Sequence, residues 1–145
     1  GALYFDIIDL KKKNKTIYTL LGWDGNDMFS NKKVIETLIF KKKNLPQFGV
    51  PIFNYPGGKT KRRVIFQYNK DSYMSLKHNL IKREDYIVFD HLIPTSPNLK
   101  DFPDWYVTDL SFDAFMWEEN KWQFKRDFNA KSLKSFKKPF NDPNR

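Results

Sequence analysis

Apolar and polar residues alternate in short blocks from Leu3 to Phe128, and the blocks repeat one phrase. A run of β-branched and aromatic residues gives way to a polar turn rich in Lys, Asn, Gly or Pro, and then another run begins. The runs read LYFDIIDL, TIYTLLGW, KVIETLIF, QFGVPIF, RVIFQY, YMSLKH, YIVFDHLI, LSFDAFMW and KWQFKRDF, and the turns include KKKNK, KKKNLP, NYPGGKTK, NKDS and EEN. Strand-turn-strand spacing of about ten residues, with no convincing amphipathic helix, predicts an all-β domain. The expected architecture is a single antiparallel meander of about nine strands, strongly curved toward a barrel or a sandwich.

Individual segments refine this picture. KVIETLIF has apolar residues at helical spacing, but its β-branched content and its short length make it a strand. In KWQFKRDF, Trp122, Phe124 and Arg126 alternate with Lys121, Gln123 and Lys125, which gives one dry face and one wet face. Both registers of YIVFDHLI are mostly apolar, so that strand is expected to be central and covered on both sides. EEN, at residues 118–120, reads as a compact hairpin turn. Residues 94–104 read PTSPNLKDFPD, whose three prolines forbid regular structure, and connections of that length are usually functional or mobile. The β domain is placed at residues 1–128, and residues 129–145 form a basic tail expected to be weakly ordered.

Composition narrows the function classes. A chain of 145 residues is one domain by length, and its 14 Phe, 7 Tyr and 4 Trp are the expected core material. With no cysteine there is no disulfide, no thiol nucleophile and no thiolate metal site, and two histidines make a multi-His centre improbable. No metal and no cofactor is expected. No apolar run reaches the ~18 residues of a membrane helix, and the opening residues lack the regions of a signal peptide, although Gly1 suits a trimmed N-terminus.

The formal charge of +9 invites a polyanion reading, so its placement matters. Much of it sits in turns, at Lys11, Lys12, Lys13 and Lys15, then Lys41, Lys42 and Lys43, then Lys59, Lys61, Arg62 and Arg63. Lysine in turns and along edges is ordinary protection against edge pairing, and successive tips need not converge on one face. Nucleic acid is therefore not the favoured partner.

Candidate chemistry lies where the rhythm breaks. In Gly22-Trp23-Asp24-Gly25-Asn26-Asp27, oxygens that serve a turn could also meet a cation or sugar hydroxyls beside Trp23, but the ligand spacing of an EF-hand is missing. Asp90 and His91 suggest an acid-base pair, yet neighbours on a strand point to opposite faces and cannot bond directly. His91 is expected to be structural, bonding to the backbone of the loop that follows, and His78 to be a solvated strand-end residue. Gly57-Gly58 is a turn, and no serine elbow is present. The stretch containing Asp101, Asp104, Trp105, Tyr106, Asp109 and Asp113 combines aromatic rings with carboxylates, which suits sugar stacking, a cationic partner or glycosidase-like catalysis.

The segments YTLLGWDGN, Lys-x-x-Val-Ile-Phe, IVFDHL-x-P and the closing aromatic hairpin LSFDAFMWEENKWQFKRD resemble a family of uncharacterised exported bacterial proteins. The resemblance spans nearly all of residues 2–128 and brings no assigned activity and no catalytic residue with it. It implies export to the periplasm or cell surface and a chain that is the C-terminal portion of a longer precursor.

The leading expectation is thus a non-enzymatic binding or structural module whose partner is a glycan or an envelope protein. Its candidate ligand-binding residues are Trp23, Asp24, Asn26, Asp27, Trp105, Tyr106, Asp109 and Asp113. The alternatives are a glycan- or polymer-acting hydrolase with Asp104, Asp109 or Asp113 converging in a cleft, and a polyanion binder that uses the turn lysines.

Overall fold

The alternating runs become strands throughout. A computed structural model describes residues 1–129, in which eleven strands form two sheets. These are β1 (Leu3–Lys12), β2 (Lys15–Asp24), β3 (Ser30–Phe40), β4 (Pro46–Phe48), β5 (Phe53–Asn54), β6 (Thr60–Lys61), β7 (Val64–Asn69), β8 (Leu76–Ile81), β9 (Glu84–Pro94), β10 (Tyr106–Glu118) and β11 (Lys121–Lys125). The chain is all-β, as the pattern predicts. Of the tail expected at residues 129–145, residues 130–145 lie outside the described residues.

One short segment divides the expected meander in two. In QFGVPIF the chain turns at Gly49, whose φ of +82° favours a residue without a Cβ and whose N–H donates to the Thr37 carbonyl at 3.0 Å. Pro51 then offers no donor to a ladder, so β4 stays with the first sheet while β5 leaves for the second. The first sheet runs β1-β2-β3, and the far edge of β3 is shared: Ser30 to Ile35 pair with β7, and Leu38 to Phe40 with β4. The second runs β6-β5-β11-β10-β9-β8, antiparallel except where β5 lies parallel to β11, with Phe53 opposite Trp122.

The sheets close over one aromatic core. Leu21, Ile35, Val64 and Tyr68 of the first sheet meet Phe53, Ile87, Phe89, Phe115 and Trp122 of the second. The rings of Phe66 and Phe89 lie 4.6 Å apart across the gap, and Trp122 Nε1 donates to Thr19 Oγ1 at 3.0 Å. Ile87, Val88, Phe89 and Asp90 are buried in succession, as expected of a central strand. Glu119 and Asn120 both take positive φ, the signature of a two-residue hairpin turn.

Two expectations change. Residues 94–104 are not wholly irregular: they carry the 3-10 turn Pro97–Leu99 and the start of a second, Pro103–Trp105. Proline supplies the fixed φ at the start of each. The lysine tips also converge more than their spacing suggests. Because Tyr18 faces Leu38 across β2 and β3, the β1–β2 turn with Lys11, Lys12, Lys13 and Lys15 lies at the same end of the first sheet as Lys41, Lys42 and Lys43.

Candidate functional site

At the opposite end of that sheet the two breaks in the strand rhythm meet. The β2–β3 loop is built around Asp27, whose Oδ1 accepts the N–H groups of Phe29 and Ser30 at 2.8 Å each and the Ser30 hydroxyl at 3.2 Å. These backbone bonds, first that of Phe29 and then that of Ser30, hold the Asp27 carboxyl below its ordinary pKa. Asp24 Oδ1 accepts the Asn26 N–H at 2.8 Å, and Asn26 Nδ2 donates to Asp27 Oδ2 and Ser30 Oγ. With its polar atoms turned inward, the loop displays Met28 and Phe29, which are 84% and 67% exposed.

The end of β7 ties this loop to the turn at Pro103–Trp105. Gln67 Nε2 donates to Ser30 Oγ at 3.0 Å and to Asp104 Oδ1 at 2.7 Å, and Asn69 Nδ2 donates to the Asp104 carbonyl at 2.9 Å. Lys70 Nζ reaches the carbonyls of Gly25 and Asp27 at 3.2 and 2.9 Å. The Thr95 N–H donates to the Trp105 carbonyl, which fixes the backbone of a side chain that is still 51% exposed. Between these braces lies a cleft of about 310 Å³ lined by Met28, Phe29, Asn69, Lys70, Asp71, Asp104 and Trp105. A second groove of about 500 Å³ lies between β7 and the 94–104 segment, and Gln67, Leu92, Lys100, Pro103 and Tyr106 are among its lining residues. Tyr106 donates its hydroxyl to the Lys100 carbonyl at 2.5 Å, which shapes that wall.

The residues expected to bind divide accordingly. Trp105 lines the cleft and Tyr106 the neighbouring groove, whereas Asp24 Oδ1, the Asn26 amide nitrogen and both Asp27 carboxylate oxygens are engaged within the loop itself. Trp23 is half-buried beneath Gly25, at which an added Cβ would lie 3.3 Å from the indole. Gln67, Asn69, Lys70 and Asp71 were not among the expected site residues. NKDS reads only as a turn, and the one hint is polar Gln67 and Asn69 recurring on one side of an otherwise apolar strand.

The carboxylates proposed for hydrolysis stand in separate environments. Asp104 sits in the cleft wall. Asp109 flanks an irregularity in β10 between Thr108 and Phe112, where its Oδ1 accepts the N–H and hydroxyl of Ser111, and those bonds lower its pKa. Asp113 is buried, with Oδ2 2.6 Å from His91 Nδ1 and Oδ1 accepting the Asp127 N–H. Asp90 and His91 point apart as strand geometry demands, and Asp90 accepts the N–H and hydroxyl of Ser75. His91 is paired with the Asp113 side chain, not with the backbone of the following loop. His78 is likewise not a solvated strand end: its Nε2 lies 2.6 Å from Asp85 Oδ1, and its side chain is largely covered.

Among the described residues no group of three or more His, Asp or Glu side chains could hold a metal ion, and no helix is long and apolar enough to cross a membrane. No family model matches the chain, and no curated protein and no solved structure matches it either.

Proposed function

We propose that this domain is a non-enzymatic binding module of an exported protein and that it captures a glycan in the cleft between Met28, Phe29 and Trp105. The observation that carries this reading is the cleft itself: a braced backbone presents a half-exposed indole beside hydrogen-bonding groups. A sugar ring offers an apolar C–H face to Trp105 and hydroxyls to its surroundings. Asp71, which lines the cleft, would accept from those hydroxyls, while Asn69 and Lys70 are already oriented by their own bonds. Export is proposed on the sequence resemblance alone, and fractionation of cells that make this protein should find it outside the cytoplasm.

The hydrolase alternative built on Asp104, Asp109 and Asp113 is not favoured, because only Asp104 of the three lines the cleft and its Oδ1 accepts from Gln67. A glycan array comparing the native domain with Trp105→Ala tests the binding reading. The expected result is capture by the native domain, loss of capture by the variant, and a melting temperature almost unchanged. Equal capture by both proteins, or no capture by either, would overturn it.

A further inference from the structure

The basic end of the first sheet lies at the far end of β2 from the glycan cleft. Lys15–Asp24 spans ten residues, which places the two ends about 30 Å apart. Two adjacent turns form the basic end. The β1–β2 turn closes after the Lys12–Lys15 pair, with Lys13 at φ +56°. The β3–β4 turn closes after the Phe40–Pro46 pair and is held by the Lys41 N–H donating to the Leu45 carbonyl at 2.8 Å. Seven lysines, at 11, 12, 13, 15, 41, 42 and 43, therefore crowd one tip. Residues 10–17 and 37–48 contain no carboxylate, and none of the seven is in an ion pair among the described residues.

Charge is only half of the pattern. The same tip exposes Phe40 at 52%, Leu45 at 61% and Phe48 at 50%. Phe40 and Phe48 lie on the face of the sheet that carries Tyr18 and Leu38, away from the core, and the Phe40 ring sits edge-on to Tyr18 at 6.0 Å. Protection against edge pairing explains lysines at a turn but not large apolar side chains exposed among them. A soluble polyanion such as a sulfated glycan would use the lysines and leave the phenylalanines in water, and a single-stranded nucleic acid, whose bases can stack on phenylalanine, would still leave Leu45 in water. A bilayer with anionic lipid uses both, with ammonium groups at the headgroups and apolar side chains below them at the acyl boundary.

We infer that this tip docks the domain onto an anionic membrane surface. Lys11, Lys12, Lys13, Lys15 and Lys41–Lys43 would contact the headgroups while Phe40, Leu45 and Phe48 enter the interface. Docked in this way, the domain turns the cleft end of β2 away from the bilayer. The inference rests on the opposite end of the sheet from the glycan reading and stands or falls without it.

Sedimentation with phosphatidylcholine vesicles, with and without phosphatidylserine, tests the docking. Selective binding to the phosphatidylserine vesicles is expected. Lys42→Glu with Lys43→Glu should weaken it by roughly thirtyfold or more, given the contribution of each basic residue near such a surface. Phe40→Ser with Leu45→Ser should weaken it by about tenfold or more. All four positions are exposed, and circular dichroism confirms that each variant is folded. Equal binding to neutral vesicles, or no binding to either kind, overturns the inference. Binding that survives the Phe40 and Leu45 substitutions also overturns it and assigns the lysines to a soluble polyanion, as does a dimer in light scattering that leaves vesicles unbound.

Discussion

Trp122 and Trp23 each carry a buried indole nitrogen, and only the first has a partner. Trp122 Nε1 donates to Thr19 Oγ1, while Trp23 Nε1 is buried with no hydrogen-bond partner among the described residues. A buried donor without a partner costs about 1–3 kcal/mol, so removing the donor offsets part of the packing lost with the smaller ring. Trp122→Phe should therefore lower stability by about 2–3 kcal/mol and Trp23→Phe by clearly less, as read by urea denaturation. Equal losses would refute the distinction. Tyr55 gives a second residue-level prediction. Burial first, and then the Asp113 carboxylate, push its hydroxyl up to about 12. The unfolded chain then loses this proton near pH 10 while the folded protein keeps it, so stability is full below pH 10 and falls as the pH rises toward 12. Tyr55→Phe should flatten that alkaline limb in thermal melts, and an unchanged limb would place its origin elsewhere. Lys33 shows where sequence reading fails at this scale: it is wholly buried, with Nζ 5.0 Å from the Phe5 ring centre, in a strand whose alternation assigns lysine to water. The ammonium over the Phe5 ring offsets part of the cost of that placement, and nothing in the local pattern announces it.

Within elements, local chemistry was legible and long-range bracing was not. The GWDGND segment reads as a turn because Asp and Asn bond to nearby backbone, and Asp24 and Asp27 do so. The bonds that make it one wall of a cleft come from Gln67 and Lys70, dozens of residues away, and no spacing rule reaches that far. QFGVPIF shows the same limit: two stretches of one apolar run join different sheets, and the switch is visible only as a glycine and a proline. The loop itself can be tested by pH. Bonds from the backbone depress the Asp27 pKa, so the folded loop is stabilised above the ordinary carboxylate value of 3.8, and that support is lost as the pH falls through the lower folded value. The amide resonances of Phe29 and Ser30 should titrate together with a midpoint below 3.8, and in Asp27→Asn the shared titration should vanish. A midpoint at or above 3.8 would mean that the carboxylate does not hold these two N–H groups in solution.

At the scale of the molecule, the pattern of runs predicts one β domain, and the division into two sheets raises the question of whether they unfold as one. The core argues that they do. The Phe115 ring in the second sheet lies 5.4–5.7 Å from the rings of Phe53, Tyr55, Phe89 and Phe124, and Phe89 in turn meets Phe66 of the first sheet at 4.6 Å. Gln67 and Asn69 add polar ties from β7 to the Asp104 turn, so neither sheet can leave without exposing the other's apolar face. Unfolding followed by tryptophan fluorescence, which reports Trp23 in the first sheet and Trp122 in the second, should coincide with unfolding followed by far-ultraviolet circular dichroism. Phe115→Ala removes a ring common to several contacts and should cost about 3–5 kcal/mol, with both probes shifted equally. If fluorescence and dichroism separate in that variant, the first sheet survives the loss of the second and the shared core is not what unites them. If they stay together, the short switch at Gly49 to Pro51 has divided the hydrogen-bonded sheet without dividing the cooperative unit.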